Sequence, residues 1–307
     1  MLSFEWTVHQ DMYVRTFLRG KGISRRLLAR IKYHGGEVLL NDEPRYVGTQ
    51  AVVGDRIKVL IPDEGKQEEI EGMPGPLEIL FEDDHYLAVN KPAYYTSIPS
   101  FHNPQGSMAN ILKAYYQAQN YDNQVIHVVT RLDRDTSGVM LFAKHQFAHS
   151  LLDQSLRQGG IDKRYWAFTP DPLQPKDQGF IEAGIGRKPG SIIERRVDPD
   201  GKPALTEYQL LRETAAGYLY GVRLHTGRTH QIRVHFAYAG APLYGDSLYG
   251  GDLAAGLDRQ ALHCRSLSFN HPLTGDHLQI IAPLADELSD WQMRYFEDQE
   301  KECEDGR

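Results

Sequence analysis

Cysteine is almost missing from this chain: Cys264 and Cys303 are the two thiols among 307 residues. Two cysteines build neither a disulfide framework nor a zinc site, so the expected home is a reducing cytoplasm. Long apolar runs are also lacking. No stretch approaches the roughly 18 apolar residues of a membrane span, and the opening MLSFEWTVHQ has neither the basic nor the apolar region of a signal peptide. Membrane insertion and secretion are thereby excluded as expectations. No P-loop and no GxGxxG fingerprint occurs, and no cysteine or histidine cluster has metal-ligand spacing. Internal repeats are absent, as is low-complexity sequence outside an acidic C-terminal end.

What is present suffices for a sizeable core. With 41% hydrophobic residues over 307 positions, the chain is expected to form two domains of unequal size. The net charge of −7 argues at first against a nucleic-acid partner. Its distribution argues the other way: residues 284–307 hold nine acids and three bases, which accounts for six of the seven net negative charges. From Arg15 to Lys32 there are seven bases and no acid. Local field, not overall charge, decides whether phosphates bind.

The basic stretch is organised. Val14, Phe17, Leu18, Leu27, Leu28 and Ile31 recur at helical spacing, Gly20 and Gly22 interrupt them, and Ser24 is placed to cap a second helix. That second helix is expected to carry Arg25, Arg26, Arg30 and Lys32 on its outer surface. Strands EVLLN and DRIKVLIP follow, with a turn at Val53 to Asp55. Residues 63–76, acidic and rich in Gly and Pro, read as a linker. Beyond it, LEILFEDDHYLAVNKP reads as two strands around a turn at Glu82 to His85. VMLFAK (139–144), KRYWAF (163–168) and YLYGVRLHTG (218–227) read as further strands. Helices are expected from about Gln146 to Gln158, with Phe147, Leu151, Leu152 and Leu156 inward, and from Thr229 to Ala239. Trp291, Tyr295 and Phe296 suggest a docked helix before a disordered end. Strands mixed with helices but few regular βαβ units predict an α+β fold with a mixed sheet.

One segment stands out for chemistry: VVTRLDRDTSGVMLFAKH, residues 128–145, a polar turn-forming octet between two apolar runs. Rigid flanks present Asp133 at a sheet edge, a setting suited to catalysis. The same spacing begins a calcium loop, but the twelfth position, where such a loop needs a bidentate Glu, is Lys144. A plain salt-linked turn, in which Asp135 caps its own backbone, is the competing reading from these residues alone.

The octet RLDRDTSG resembles the signature of the RluA-type pseudouridine synthases. KPAYYTSIP (91–99), KRYWAF, TGRTHQIRVHFAYAGAPLYGD (226–246), ALHCRSLSFNHPLTG (261–275) and IAPLADEL (281–288) follow in that family's order. The resemblance implies a largely antiparallel, bent mixed sheet flanked by helices, over residues 77–290, with an acidic tail at 291–307. Residues 1–62 resemble the small-subunit-protein-four-like (S-four) RNA-binding module, a small α/β domain.

The implied reaction detaches uracil from ribose, turns it and rejoins it through carbon 5, with no net redox change and no cofactor. The resemblance makes Asp133 the nucleophile, and an aspartate with a reference pKa of about 4 is ionised at neutral pH. Arg233 becomes its cationic partner and Tyr165 the aromatic that stacks on the flipped base and helps remove the carbon 5 proton. Arg131 would fill the gap left by the extruded base. Arg228 and His230 would meet phosphate at a helix start, and Lys91 and Leu262 would complete the substrate site. The expected partner is RNA, ribosomal first and transfer RNA second, bound by a monomer without membrane attachment. His230 and His235 lack a third ligand, so no metal is assigned to them.

Two positions depart from the family pattern: Tyr94 stands where KPAG has glycine, and Thr130 where histidine usually precedes RLD. Two other classes stay open at this point. One is an RNA-binding protein or chaperone that retains the fold without catalysis. The other is a metal-dependent phosphodiesterase using Asp83, Asp84, Asp133 and Asp135.

Overall fold

Alternation sets the N-terminal unit. In Leu2–Thr7, residues Leu2, Phe4 and Trp6 face inward while their neighbours face water, and the strand pairs antiparallel with Arg56–Ile61. This strand was not among the sequence expectations, although its period of two was legible. The structure, a computed structural model, describes residues 1–100 and 104–297. Its first sheet runs Leu2–Thr7, Arg56–Ile61, Glu37–Leu40, Glu43–Pro44. The helices Val14–Gly20 and Arg25–Tyr33 cover it, with Val14, Leu18, Leu27, Ile31, Ile57 and Val59 buried between. Ser24 caps the second helix as expected, its Oγ accepting from the Leu27 N–H at 3.1 Å.

This unit is docked on the rest of the chain. Phe147 belongs to its core, and the rings of Phe4 and Phe147 meet edge to face at 4.9 Å. Gly22, at φ +84°, lies so close to the helix Gln146–Arg157 that a Cβ would fall 2.3 Å from a Leu151 methyl. Docking corrects one expectation. Arg30 does not join Arg25, Arg26 and Lys32 on the exposed face, because three residues after Leu27 it falls beside the inward stripe. Its guanidinium donates to the Asp63 carbonyl at 2.9 Å and lies 3.4 Å from both Gln146 and Glu64. Residues 63–76 contain no helix or strand but are strapped to the body: Glu64 accepts from the Gln146 N–H, and the Met73 N–H donates to the Asn110 carbonyl.

The second sheet has ten strands. Its main path runs Gln178–Glu182, Leu205–Thr214, Gly217–Leu224, Ile161–Thr169, Leu262–Asn270, Ser137–Ala143, Tyr86–Lys91, Glu78–Glu82. The flanking helices include Met108–Ala118, Gln146–Arg157 and Gln231–Tyr238. This is the expected α+β fold with a largely antiparallel sheet. Within this sheet, among the described residues, the one parallel pairing joins Ser137–Ala143 to Leu262–Asn270, through Ser137 opposite His263 and Gly138 opposite Cys264. Here the backbones come together so closely that a Cβ on Gly138, at φ +111°, would lie 2.2 Å from the Cys264 carbonyl oxygen. The octet at 131–138 therefore ends at a fixed seam.

The chain continues as the helix Asp286–Trp291 and a π-helical turn Gln292–Glu297. Trp291 and Phe296 are buried against Phe168, so the body extends into the segment expected to begin the tail. The disorder expected of the acidic end and the residue Cys303 fall at 298–307, outside the described residues.

Candidate active site

The loop 131–136 enters the strand Ser137–Ala143 at the parallel seam, and six of its backbone groups are tied by hydrogen bonds. The Leu132 N–H donates to Ser97 Oγ at 3.0 Å, and that hydroxyl donates back to the Leu132 carbonyl at 2.7 Å. Lys91 Nζ holds the Arg134 carbonyl at 2.8 Å, and Arg259 holds that of Asp135 at 3.1 Å. Gln260 donates to Thr136 Oγ1, while Thr136 closes the turn with its N–H on the Asp133 carbonyl. Buried basic side chains clamping carbonyls make a rigid loop that presents the Asp133 carboxylate forward, and burial, then Arg259, lower Lys91 to about 7.

That carboxylate lies in a cleft of about 620 Å³ whose wall includes Arg131, Tyr165, Arg228, His230, Arg233 and Leu262. Arg233 Nη1 is 3.6 Å from Asp133 Oδ2. The rest of the guanidinium is committed to Asp246, through Nε and Nη2 at 2.8 Å each, with Arg233 and Asp246 both buried. Burial works against the charge on Arg233, but Asp246, then Asp133, more than offset it and hold the group cationic.

Tyr165 forms the floor with Leu262. The pairing shifts between Arg164 and Tyr165, opposite Ser266 and Cys264, so that Arg265 of the neighbouring strand is the extra residue, and Tyr165 keeps its inward place between Arg164 and Trp166. Burial first, then the Cys264 thiol and the Asp133 carboxylate beside it, raise Tyr165 well above its ordinary value, so it is a phenol at neutral pH. Cys264 is likewise pushed up to about 12, mainly by burial, and is an inert thiol. His230 takes the left-handed conformation at φ +58° and opens the helix Gln231–Tyr238. Burial lowers its imidazole below the ordinary value despite Asp133 nearby, which leaves it neutral. The arrangement offers one carboxylate, one fixed cation and an aromatic floor around a space large enough for a nucleotide.

Comparison with known proteins agrees with this geometry. The family model of RNA pseudouridylate synthase matches residues 85–238. The uncharacterized RNA pseudouridine synthase YjbO of Bacillus subtilis is 44% identical over 278 residues, 91% of this chain and 97% of that protein. The chain belongs to the RNA pseudouridylate synthase family. Members are isomerases that act on RNA. Ribosomal large subunit pseudouridine synthase D of Vibrio parahaemolyticus is 34% identical over 82% of this chain and 81% of its own length. The solved human RNA pseudouridylate synthase domain containing 4 shares the fold, with a TM-score of 0.59 at 22% identity, over 71% of this chain and 93% of that one.

Within this synthase the cleft brings together Asp133, Tyr165, Arg233, Arg131, Arg228, His230 and Leu262. Lys91 is not among them. It is fully buried, and its Nζ donates to the carbonyls of Pro92, Tyr95 and Arg134, each at 2.8 Å. Its expected contact with substrate is corrected to support of the loop behind Asp133. The four carboxylates of the phosphodiesterase reading do not converge. Tyr86 lies opposite Ala143 and Lys91 opposite Gly138, so Asp83 and Asp84 sit at the far end of the strands from Asp133. His235 is engaged with Thr206 Oγ1 at 2.9 Å and the Ala183 carbonyl at 3.0 Å.

Both departures from the family pattern find a place. Tyr94 keeps the left-handed backbone of a glycine, φ +70°, and its hydroxyl is anchored on Asp258. Thr130 Oγ1 accepts from the Leu141 N–H at 2.9 Å and pins the start of the octet to its strand. Asp246 escaped the sequence reading although it closes the quoted run APLYGD, because nothing local marks it as the partner of Arg233. Tyr249, Ser97 and Arg259 were missed for the same reason.

Proposed function

We propose that this synthase isomerises uridine to pseudouridine in structured RNA, with ribosomal RNA as its substrate and Asp133 as its nucleophile. The observation that carries the reading is Asp133 in the cleft, 3.6 Å from a buried Arg233 whose other donors are taken by Asp246. The cation faces the carboxylate without engaging it in a bidentate pair, so the carboxylate oxygens stay available to attack.

In this reading a uridine is flipped into the cleft, at a cost of a few kcal/mol, and stacks on Tyr165 and Leu262. Arg131, exposed at the mouth, takes the place of the lost base. Asp133 attacks either carbon 6 of the base or carbon 1′ of the ribose. The bond from N1 to carbon 1′ breaks, the freed base turns, and carbon 5 bonds to carbon 1′. The carbon 5 proton leaves and N1 ends protonated, so electrons balance with no oxidant or cofactor. A neutral phenol at Tyr165 is suited to stacking and to donating a hydrogen bond. With its pKa raised, Tyr165 keeps its own proton and offers no phenolate to accept another, so Asp133, released after rejoining, is the base that takes the carbon 5 proton.

The N-terminal unit supports RNA as the partner through Arg15, Arg19, Lys21, Arg25, Arg26 and Lys32, all exposed. Its two helices over a small sheet fit the S-four-like reading. The relative named ribosomal large subunit pseudouridine synthase D favours ribosomal over transfer RNA, and with it a cytoplasmic site of action.

The test is tritium release from total RNA labelled at carbon 5 of uridine, with wild type and Asp133→Asn side by side, followed by fractionation of the modified RNA. Release by wild type alone, from the ribosomal fraction, supports the reading. Release undiminished in Asp133→Asn removes the nucleophile assignment, and modification confined to transfer RNA removes the substrate assignment.

A further inference from the structure

Three elements meet on one phenol. The ring of Tyr249 lies 5.0 Å from the guanidinium carbon of Arg233. Its hydroxyl accepts from the backbone N–H of Arg195 at 2.9 Å and contacts His230 Nδ1 at 2.7 Å. Tyr249 therefore touches the cation that faces Asp133, the left-handed residue that opens the Arg233 helix, and a strand outside the cleft.

That strand, Arg195–Val197, pairs with Ile185–Arg187 in a small two-stranded hairpin. Ile192 and Ile193 lie between the strands, 75% and 59% exposed, with Arg187, Lys188, Arg195 and Arg196 around them, of which Lys188 pairs with Glu194 at 2.7 Å and Arg196 with Asp198 at 3.1 Å. Exposed aliphatic side chains on a basic ribbon suit RNA: the bases meet phosphates, and the aliphatics wedge against exposed base faces. Beneath the hairpin, Ile185, Val197 and Tyr249 share a minor core with Val234, the neighbour of Arg233. A shift of the hairpin thus has a packed route to the active cation.

We propose that Tyr249 is a positioning residue that couples the 185–197 hairpin to Arg233 and His230, so that RNA held by the hairpin sets the orientation of the cation at Asp133. The coupling rests on the reading of Asp133 and Arg233 as the reacting pair. The hydroxyl supplies the link between hairpin and helix, while the ring keeps Arg233 from swinging away from Asp246.

The experiment is a double-mutant cycle between Tyr249→Phe and the paired tip change Ile192→Ser with Ile193→Ser, in the full chain. Single-turnover tritium release from ribosomal RNA and RNA affinity are measured for all four proteins. Loss of one hydrogen bond predicts about a tenfold slower rate for Tyr249→Phe with RNA affinity unchanged. The tip change weakens affinity and slows the rate, and in the Tyr249→Phe background it weakens affinity only. Rate losses that multiply, or a Tyr249→Phe effect confined to affinity, overturn the coupling.

Hydrogen exchange reads the same link without turnover. RNA binding is expected to slow amide exchange in the hairpin and at residues 231–233 of wild type and of Asp133→Asn. Tyr249→Phe is expected to retain the first effect and lose the second. Slowing at 231–233 that survives in Tyr249→Phe, or no slowing in the hairpin of wild type, refutes the proposal. Because this arm does not need catalysis, failure of the Asp133 assignment and failure of the coupling give different results.

Discussion

Arg233 divides its guanidinium unequally between two carboxylates: two donors go to Asp246 at 2.8 Å, and one stands 3.6 Å from Asp133. The close pair is buried and bidentate, so Asp246 fixes where the charge sits and Asp133 receives what remains. Removing the charge at Asp246 leaves a buried arginine drawn toward Asp133 alone. Asp246→Asn is expected to lose about 3 kcal/mol of stability, read from denaturant unfolding. Its tritium-release rate should fall while RNA affinity holds. Stability and rate both at the wild-type level would show that the pair does not govern the site.

Lys91 tests the difference between touching the substrate and supporting the loop that does. Three carbonyls at 2.8 Å surround its Nζ, one of them Arg134 in the Asp133 loop. Lys91→Met keeps the length and leaves those carbonyls without a donor, each at a cost of about 1 kcal/mol or more. A displacement of the loop by about 1 Å lowers turnover about a hundredfold. The expected kinetic signature is a lower kcat with KM for RNA unchanged. A raised KM with kcat intact would restore Lys91 to the substrate site.

Legibility in the sequence followed the range of the interaction. The octet, the strand Ser137–Ala143 and the Ser24 cap depend on neighbours within a few residues, and all were readable. Gly138 was readable as a turn residue only; its real constraint is the Cys264 backbone, which arrives 126 positions later at the parallel seam. Asp246 belongs to Arg233 only once the helix Gln231–Tyr238 has turned back on the sheet. Arg30 shows the opposite failure. Helical periodicity separates inward from outward positions, but it cannot tell that the helix Gln146–Arg157 covers the flank where Arg30 falls.

That correction splits the basic face into two kinds of residue. Arg25, Arg26 and Lys32 are exposed, whereas Arg30 binds Asp63 and approaches Gln146 and Glu64. Replacing Arg25, Arg26 and Lys32 by Gln is expected to weaken RNA binding and to reduce its salt slope by about one unit per lost phosphate contact. Arg30→Gln should leave the salt slope alone and lower the unfolding midpoint. Titrations of RNA affinity against salt for both proteins check this; an unchanged slope in the triple variant would place the RNA elsewhere.

Glu64 ties three parts of the chain together. It accepts from the Gln146 N–H at 2.6 Å, meets His127 at 2.9 Å and lies 3.4 Å from Arg30. Burial pushes its carboxyl up, but the His127 bond and charge, the Gln146 N–H and Arg30 outweigh burial and hold it below its ordinary 4.5. A folded value below the unfolded one means that the unfolded chain binds the proton more readily. The stabilisation is therefore complete above about pH 4.5 and is lost as pH falls through the lower folded value. Glu64→Gln cannot titrate, so its stability should fall less steeply with acid than that of wild type over this window, from a lower plateau at neutral pH. Urea unfolding midpoints across the acid range measure both slopes. Parallel slopes would mean that the strap between the N-terminal unit and the synthase body is not held by this carboxylate.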